Sequence, residues 1–163
     1  MSNKAIAIFV LLTYFGTRNA CCKPLKIEFD ELTDLISDGS AFLIDIRHPN
    51  VVEREGKIPD SIHVFLGVRG YYDPDFCVDI DCINSNISKA FNLTREEFKE
   101  KYGRDYRYEE NIVIYGSRDT IDSPYIALII ANTDLFRNNS IRYYYDGFDD
   151  WKINGGEIVP RYI

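Results

Sequence analysis

The chain has 163 residues, 45% of them hydrophobic and 28% charged, with a formal net charge of −7. That length suits one domain with a real core, and the composition is ordinary for a globular protein. The acidic balance, with no compensating basic stripe, excludes nucleic acid and anionic membrane surfaces as partners.

The first residues are a different material. Lys4 supplies a basic start, Ala5 to Phe15 is apolar except for Thr13, and Gly16-Thr17-Arg18-Asn19 turns polar. This layout predicts a secretory signal peptide over residues 1–22, too short to span a membrane. Cleavage fits after Cys22, with Ala20 three residues back, or after Ala20; an uncleaved anchor is the rival reading. Lys4 and Arg18 are two of 19 basic residues, so removing the leader sets 17 against 26 acidic ones, a formal charge of −9. No second apolar run of spanning length follows, so the mature chain is expected to be secreted, extracellular and free of the membrane. If cleavage follows Cys22, only Cys77 and Cys82 remain of the four cysteines. In an oxidising compartment they are expected to pair, with free thiols or half a metal site as alternatives. The only histidines are His48 and His63, so no metal set is expected. The triplets at Asn86, Asn92 and Asn138 are glycosylation candidates.

In chain order, Phe29 to Ile36 has apolar residues at 29, 32, 35 and 36, predicting a short amphipathic helix ended near Gly39. Phe42-Leu43-Ile44-Asp45-Ile46 reads as a buried parallel strand, with Asp45, Arg47 and His48 at or just past its C-terminal end. Val51 to Glu55 suits one helical turn, Gly56 to Ser61 is turn chemistry, and Ile62 to Leu66 returns as a strand. Gly67 to Lys89 reads as a long irregular insert holding Tyr71-Tyr72-Asp73-Pro74-Asp75 and both cysteines. A helix is expected over Phe91 to Tyr102, with Thr94-Arg95-Glu96-Glu97 as its capping box.

Ile112-Val113-Ile114-Tyr115 is a β-branched and aromatic strand. Ser123-Pro124 reads as an N-cap and first position opening a helix that runs to about residue 133. Between them lies Gly116-Ser117-Arg118-Asp119-Thr120-Ile121-Asp122. A strand feeding a loop that ends at a helix N-terminus converges backbone N–H groups on a site suited to anions or a nucleophile. Ile141 to Tyr145 is the next strand, and Phe148 to Ile153 a helix ended by Gly155-Gly156. Strands alternate with helices, so a parallel α/β sheet is the economical architecture.

In this order the landmarks resemble the rhodanese-like domain family over residues 26–159, leaving 160–163 as a tail. Leu43-Ile44-Asp45-Ile46-Arg47-His48-Pro49 is similar to the family's Asp-Val-Arg signature. Glu53, Gly56-Lys57-Ile58-Pro59 and Ile62 resemble Gly-His-Ile-Pro-Gly-Ala, with Lys57, Asp60 and Ser61 as departures. Tyr145-Asp146-Gly147-Phe148, Trp151 and Gly155-Gly156 resemble the C-terminal glycine–tryptophan motif. Phe91 to Gly103 is similar to the inserted helix of animal single-domain thiosulfate-sulfurtransferase-like proteins. The resemblance implies a single rhodanese-like domain with a mainly parallel sheet of about five strands and helices on both faces.

It also implies chemistry that this chain departs from. In active members the loop after the fourth strand begins Cys-x-x-Gly-x-Arg. Its cysteine takes a sulfane sulfur from a donor such as thiosulfate and passes it to cyanide or another thiol. The reaction needs a thiolate, held at lowered pKa by loop N–H groups, the helix dipole and the arginine. Here Gly116 stands at the cysteine position and Asp119 at the glycine. The arginine position falls on Ile121, or on Asp122 with one extra residue. The loop Gly116 to Asp122 is therefore expected to be vestigial, with no catalytic residue and no cofactor. Ser117 and Arg118 remain anion-binding candidates, Arg118 alternatively pairing with Asp119 or Asp122. Asp45 and Arg47 are read as bracing the loop, or else as touching a ligand, and Trp151 as core. The expected function is a secreted pseudoenzyme that binds an unknown protein partner. The alternatives are a sulfurtransferase-like enzyme using Cys77 or Cys82, and an anion-binding extracellular effector.

Overall fold

The computed structural model describes residues 23–67, 77, 79–106, 111–118, 122–136 and 139–160. Five strands carry the fold: β1 (Leu25–Ile27), β2 (Ala41–Asp45), β3 (Ile62–His63), β4 (Asn111–Tyr115) and β5 (Ser140–Tyr144). They form one sheet in the order β1-β5-β4-β2-β3, with every pair parallel. Of the three inner strands, β2 and β4 are buried along their whole length. That burial is why they read as continuous apolar runs rather than as alternations.

Six α-helices connect them: α1 (Phe29–Ser37), α2 (Pro49–Glu55), α3 (Ile80–Phe91), α4 (Arg95–Tyr102), α5 (Asp122–Ala131) and α6 (Gly147–Ile153). Successive strand residues face opposite sides, which divides the core in two. Phe42, Ile44, Ile112 and Ile114 pack with α3, α4 and α5 around Phe91, Phe98 and Tyr106. Leu43, Val113 and Tyr115 pack with α1 and α6 through Leu32, Phe148 and Trp151. Each fully buried Leu, Ile or Phe contributes roughly 1.5–3 kcal/mol relative to exposure. Trp151 is core, as expected, and its Nε1 donates to the Glu157 carbonyl at 2.7 Å. Helices thus cover both faces of the sheet.

Several boundaries correct the sequence reading. β1 precedes the first expected element; three residues are too few to show a period. β3 is only Ile62–His63, and Val64 is tied instead to the Asp45 carbonyl at 2.9 Å. The 67–89 segment is not irregular throughout, because Ile80–Phe91 is helical. Asp79 caps it by accepting the Cys82 N–H, while Ile83, Ile87, Ala90 and Phe91 are buried. Its Asn-Ser-Asn run has poor helix propensity, and burial of that apolar face overrides it. Phe91 ends this helix rather than starting the next. The capping box at Thr94 and Glu97 is present and opens α4 at Arg95. α5 begins at Asp122, so Ser123 lies inside its first turn rather than capping it. The leader 1–22, the Tyr71 to Asp75 stretch and residues 161–163 lie outside the described residues.

Candidate functional site at the crown of the sheet

Parallel register sets the C-terminal ends of the inner strands level. Asp45 lies beside Tyr115, and Tyr115 beside Tyr144. The residues that follow them, Ile46-Arg47, Gly116-Ser117 and Tyr145 to Gly147, therefore meet at one edge, where open α/β sheets place their sites.

The segment after β4 is held from α6. Gly116 is buried, and its carbonyl accepts the Phe148 N–H at 2.9 Å. Gly147 sits at φ +64°, and a Cβ there would lie 2.5 Å from the Gly116 carbonyl oxygen. Both the left-handed backbone and that approach require glycine. Ser117 is half-buried and Arg118 exposed. The Arg118 backbone N–H donates to Asp149 Oδ2 at 3.2 Å. The bond from Lys152 at 2.8 Å holds the Asp149 carboxyl below the usual aspartate value; burial opposes it, and the Arg118 N–H adds a lesser lowering. An N–H of the loop is thus already engaged by the chain's own carboxylate. Asp119, Thr120 and Ile121 lie outside the described residues. Asp122 is the half-buried first residue of α5. Behind it, Ser123 Oγ is buried with no hydrogen-bond partner among the described residues.

At the end of β2 the situation is reversed. Asp45 and Arg47 are almost wholly buried. Arg47 Nε and Nη2 reach the Asp45 carboxylate at 3.0 and 2.6 Å, Nη2 also donates to the Gly56 carbonyl at 2.6 Å, and the Arg47 backbone N–H returns to Asp45 Oδ1. Burial works against the guanidinium charge, but the bonds to Asp45 outweigh it and raise its pKa. The guanidinium lies 3.7 Å from the centroid of Phe148, the residue whose N–H holds Gly116. Arg47 and Asp45 therefore bear on the loop through α6 and through the turn at Gly56. His63 bonds the Arg47 carbonyl at 2.8 Å.

A neighbouring network escaped the sequence reading. The fully buried Tyr115 hydroxyl lies 2.9 Å from Ser61 Oγ and accepts the Ile58 N–H at 3.2 Å. Burial first, then Asp45, drives its pKa well above the ordinary value. Two departures from the family's turn motif acquire a reason here. Ser61 pairs with Tyr115 and also donates to the Ile58 carbonyl at 2.7 Å. Asp60 takes φ 57°, a left-handed conformation in which Asp is one of the few tolerated non-glycine residues. Lys57 donates to the Ser61 carbonyl, and burial lowers its pKa. The visible signal was Ser61 and Tyr115 themselves, but nothing local says that residues 54 apart meet.

Cys77 and Cys82 form a disulfide, so the expected pairing is present. Asn86 Nδ2 lies 3.3 Å from the Leu66 carbonyl oxygen and 3.2 Å from Cys77 Sγ, and Asn92 is exposed at the C-cap of α3. Asn138 lies outside the described residues. Among the described residues no cluster of three His, Cys, Asp or Glu side chains could hold a metal ion, and no helix is long and apolar enough to cross a membrane.

Among solved structures, the chain resembles a Rhodopseudomonas palustris protein of unknown function described as a possible tyrosine phosphatase. The two are 19% identical, cover 83% of this chain and 85% of that one, and have a TM-score of 0.56. It also resembles a human single-domain sulfurtransferase at 16% identity, covering 81% and 97%, TM-score 0.53. A Saccharomyces cerevisiae single-domain sulfurtransferase is 18% identical, covering 90% and 100%, TM-score 0.53. These likenesses concern the fold. No curated protein sequence matches significantly. The family description "Rhodanese-like domain" matches residues 28–154, and the chain belongs to that family.

Proposed function

We propose that this is a secreted rhodanese-like domain in which sulfur transfer has been lost and the fold serves to bind a protein partner. The observation that carries the reading is Gly116 at the loop position where the family's chemistry requires a thiolate. Two further features support it. Cys77 and Cys82 are joined to each other, so neither offers a thiol from the insert. The Asp149 carboxylate occupies the Arg118 N–H, one of the donors a loop-bound anion would use. Export rests on the leader-like residues 1–22, and the disulfide is in keeping with an oxidising compartment.

The test is a thiosulfate:cyanide sulfurtransferase assay on the purified protein. Turnover is expected at the level of a heat-inactivated control, and activity well above it would remove the proposal. Gly116→Cys alone is expected to stay near that background, because a new thiol there would still lack the arginine that steadies its anion.

A further inference from the structure

Asn86-Ile87-Ser88 and Asn92-Leu93-Thr94 both match the acceptor triplet, one ending in Ser and the other in Thr, and the fold treats their asparagines differently. Asn86 lies on α3 and is half-buried, with its Nδ2 between the Leu66 carbonyl and Cys77 Sγ. It joins the Cys77–Cys82 disulfide and the bond from the Cys77 N–H to the Gly67 carbonyl in fastening α3 to the end of the β3 segment. Nδ2 can donate two hydrogen bonds, and two acceptors of this clasp lie within reach of it. Asn92 has the opposite setting. It is exposed, sits in the short link between α3 and α4, and only its backbone is engaged, donating to the Ser88 carbonyl at 2.8 Å. Its side chain makes no hydrogen bond among the described residues.

We propose that Asn92 is an N-glycan acceptor of this protein and that the clasp closes Asn86 to the same modification. The inference rests on the export reading. In the transfer, the C1–O bond of a lipid-diphosphate-linked oligosaccharide breaks and a C1–Nδ2 bond forms. One amide proton is lost, and the lipid diphosphate leaves. At Asn92 the sugar enters solvent and nothing in the fold is displaced. At Asn86 it would replace an N–H of the clasp and wedge a bulky polar group between Leu66 and the disulfide, so chains modified there cannot close the structure.

The experiment expresses the full chain in cultured eukaryotic cells with an independent signal peptide fused ahead of Met1, beside the unfused chain. Glycopeptides are mapped from cell lysate and from medium separately, and Asn86 is scored in the medium, where chains that have closed the structure collect. In the fused chain, most Asn92 peptides are expected to carry a glycan and Asn86 peptides to be bare. Asn92→Gln should lose one glycan's mass, and Asn86→Gln none. A bare Asn92, or Asn86 occupied as fully as Asn92, overturns the inference, and the unaltered chain decides this even if a variant misfolds. If the unfused chain stays inside the cell and bare while the fused chain carries its Asn92 glycan, the export reading fails and with it Asn92 as an acceptor of this protein, while the difference between the two asparagines holds.

Discussion

The ends of β2 and β4 are neighbours in one sheet, and they carry opposite kinds of residue. After β2, Asp45 and Arg47 are sealed from solvent and bonded to each other and to Gly56, with Phe148 against the guanidinium. After β4, the chain passes from buried Gly116 to exposed Arg118 and is held by backbone bonds to Phe148 and Asp149. The first end is a bonded framework that cannot be altered cheaply. The second is held, among the described residues, through the backbone of Gly116 and Arg118, which places no demand on which side chain stands there.

The largest effect that would break this comparison is at the framework. Asp45→Ala leaves the Arg47 guanidinium buried without its carboxylate, and a loss of about 3–5 kcal/mol is expected in urea unfolding. A loss below 1 kcal/mol would mean that the pair is not the anchor described. Next, Gly147→Ala places a methyl against the Gly116 carbonyl at a left-handed φ. Strain of this kind costs on the order of 1–3 kcal/mol, measured as a fall in the unfolding midpoint; an unchanged midpoint would show the loop to be less tightly held from α6 than the geometry requires.

The smallest effect sharpens the comparison at the loop itself. Lys152 and the Arg118 N–H depress the Asp149 pKa below its ordinary 3.8. The stability this contributes is therefore fully present above that value and is lost as pH falls through the lower folded value. Asp149→Asn should shed this part of the acid sensitivity, giving a shallower fall of stability with acid than the wild type. Identical acid profiles would separate Asp149 from the loop.

Much of this was legible in advance because it is local. β2 and β4 announced themselves as uninterrupted apolar runs, and the Thr94 capping box needs residues only three apart. Helix α3 was hidden, because its Asn and Ser residues argue against a helix until the buried face of Ile83, Ile87 and Phe91 is counted. At the candidate site, Gly116 could be read from one position. The meeting of Asp149 with Arg118 could not, nor that of Ser61 with Tyr115.

By itself the amino-acid order determined the strand–helix alternation, the family motifs and the residue at position 116. These are properties of neighbours along the chain, where period and spacing carry the information. Tertiary structure alone decided that Asp149 occupies a loop N–H, that Tyr115 sits over Ser61, and that Asn86 is fastened while Asn92 is open. Those facts depend on which distant segments the sheet brings together, and only the packed core sets that.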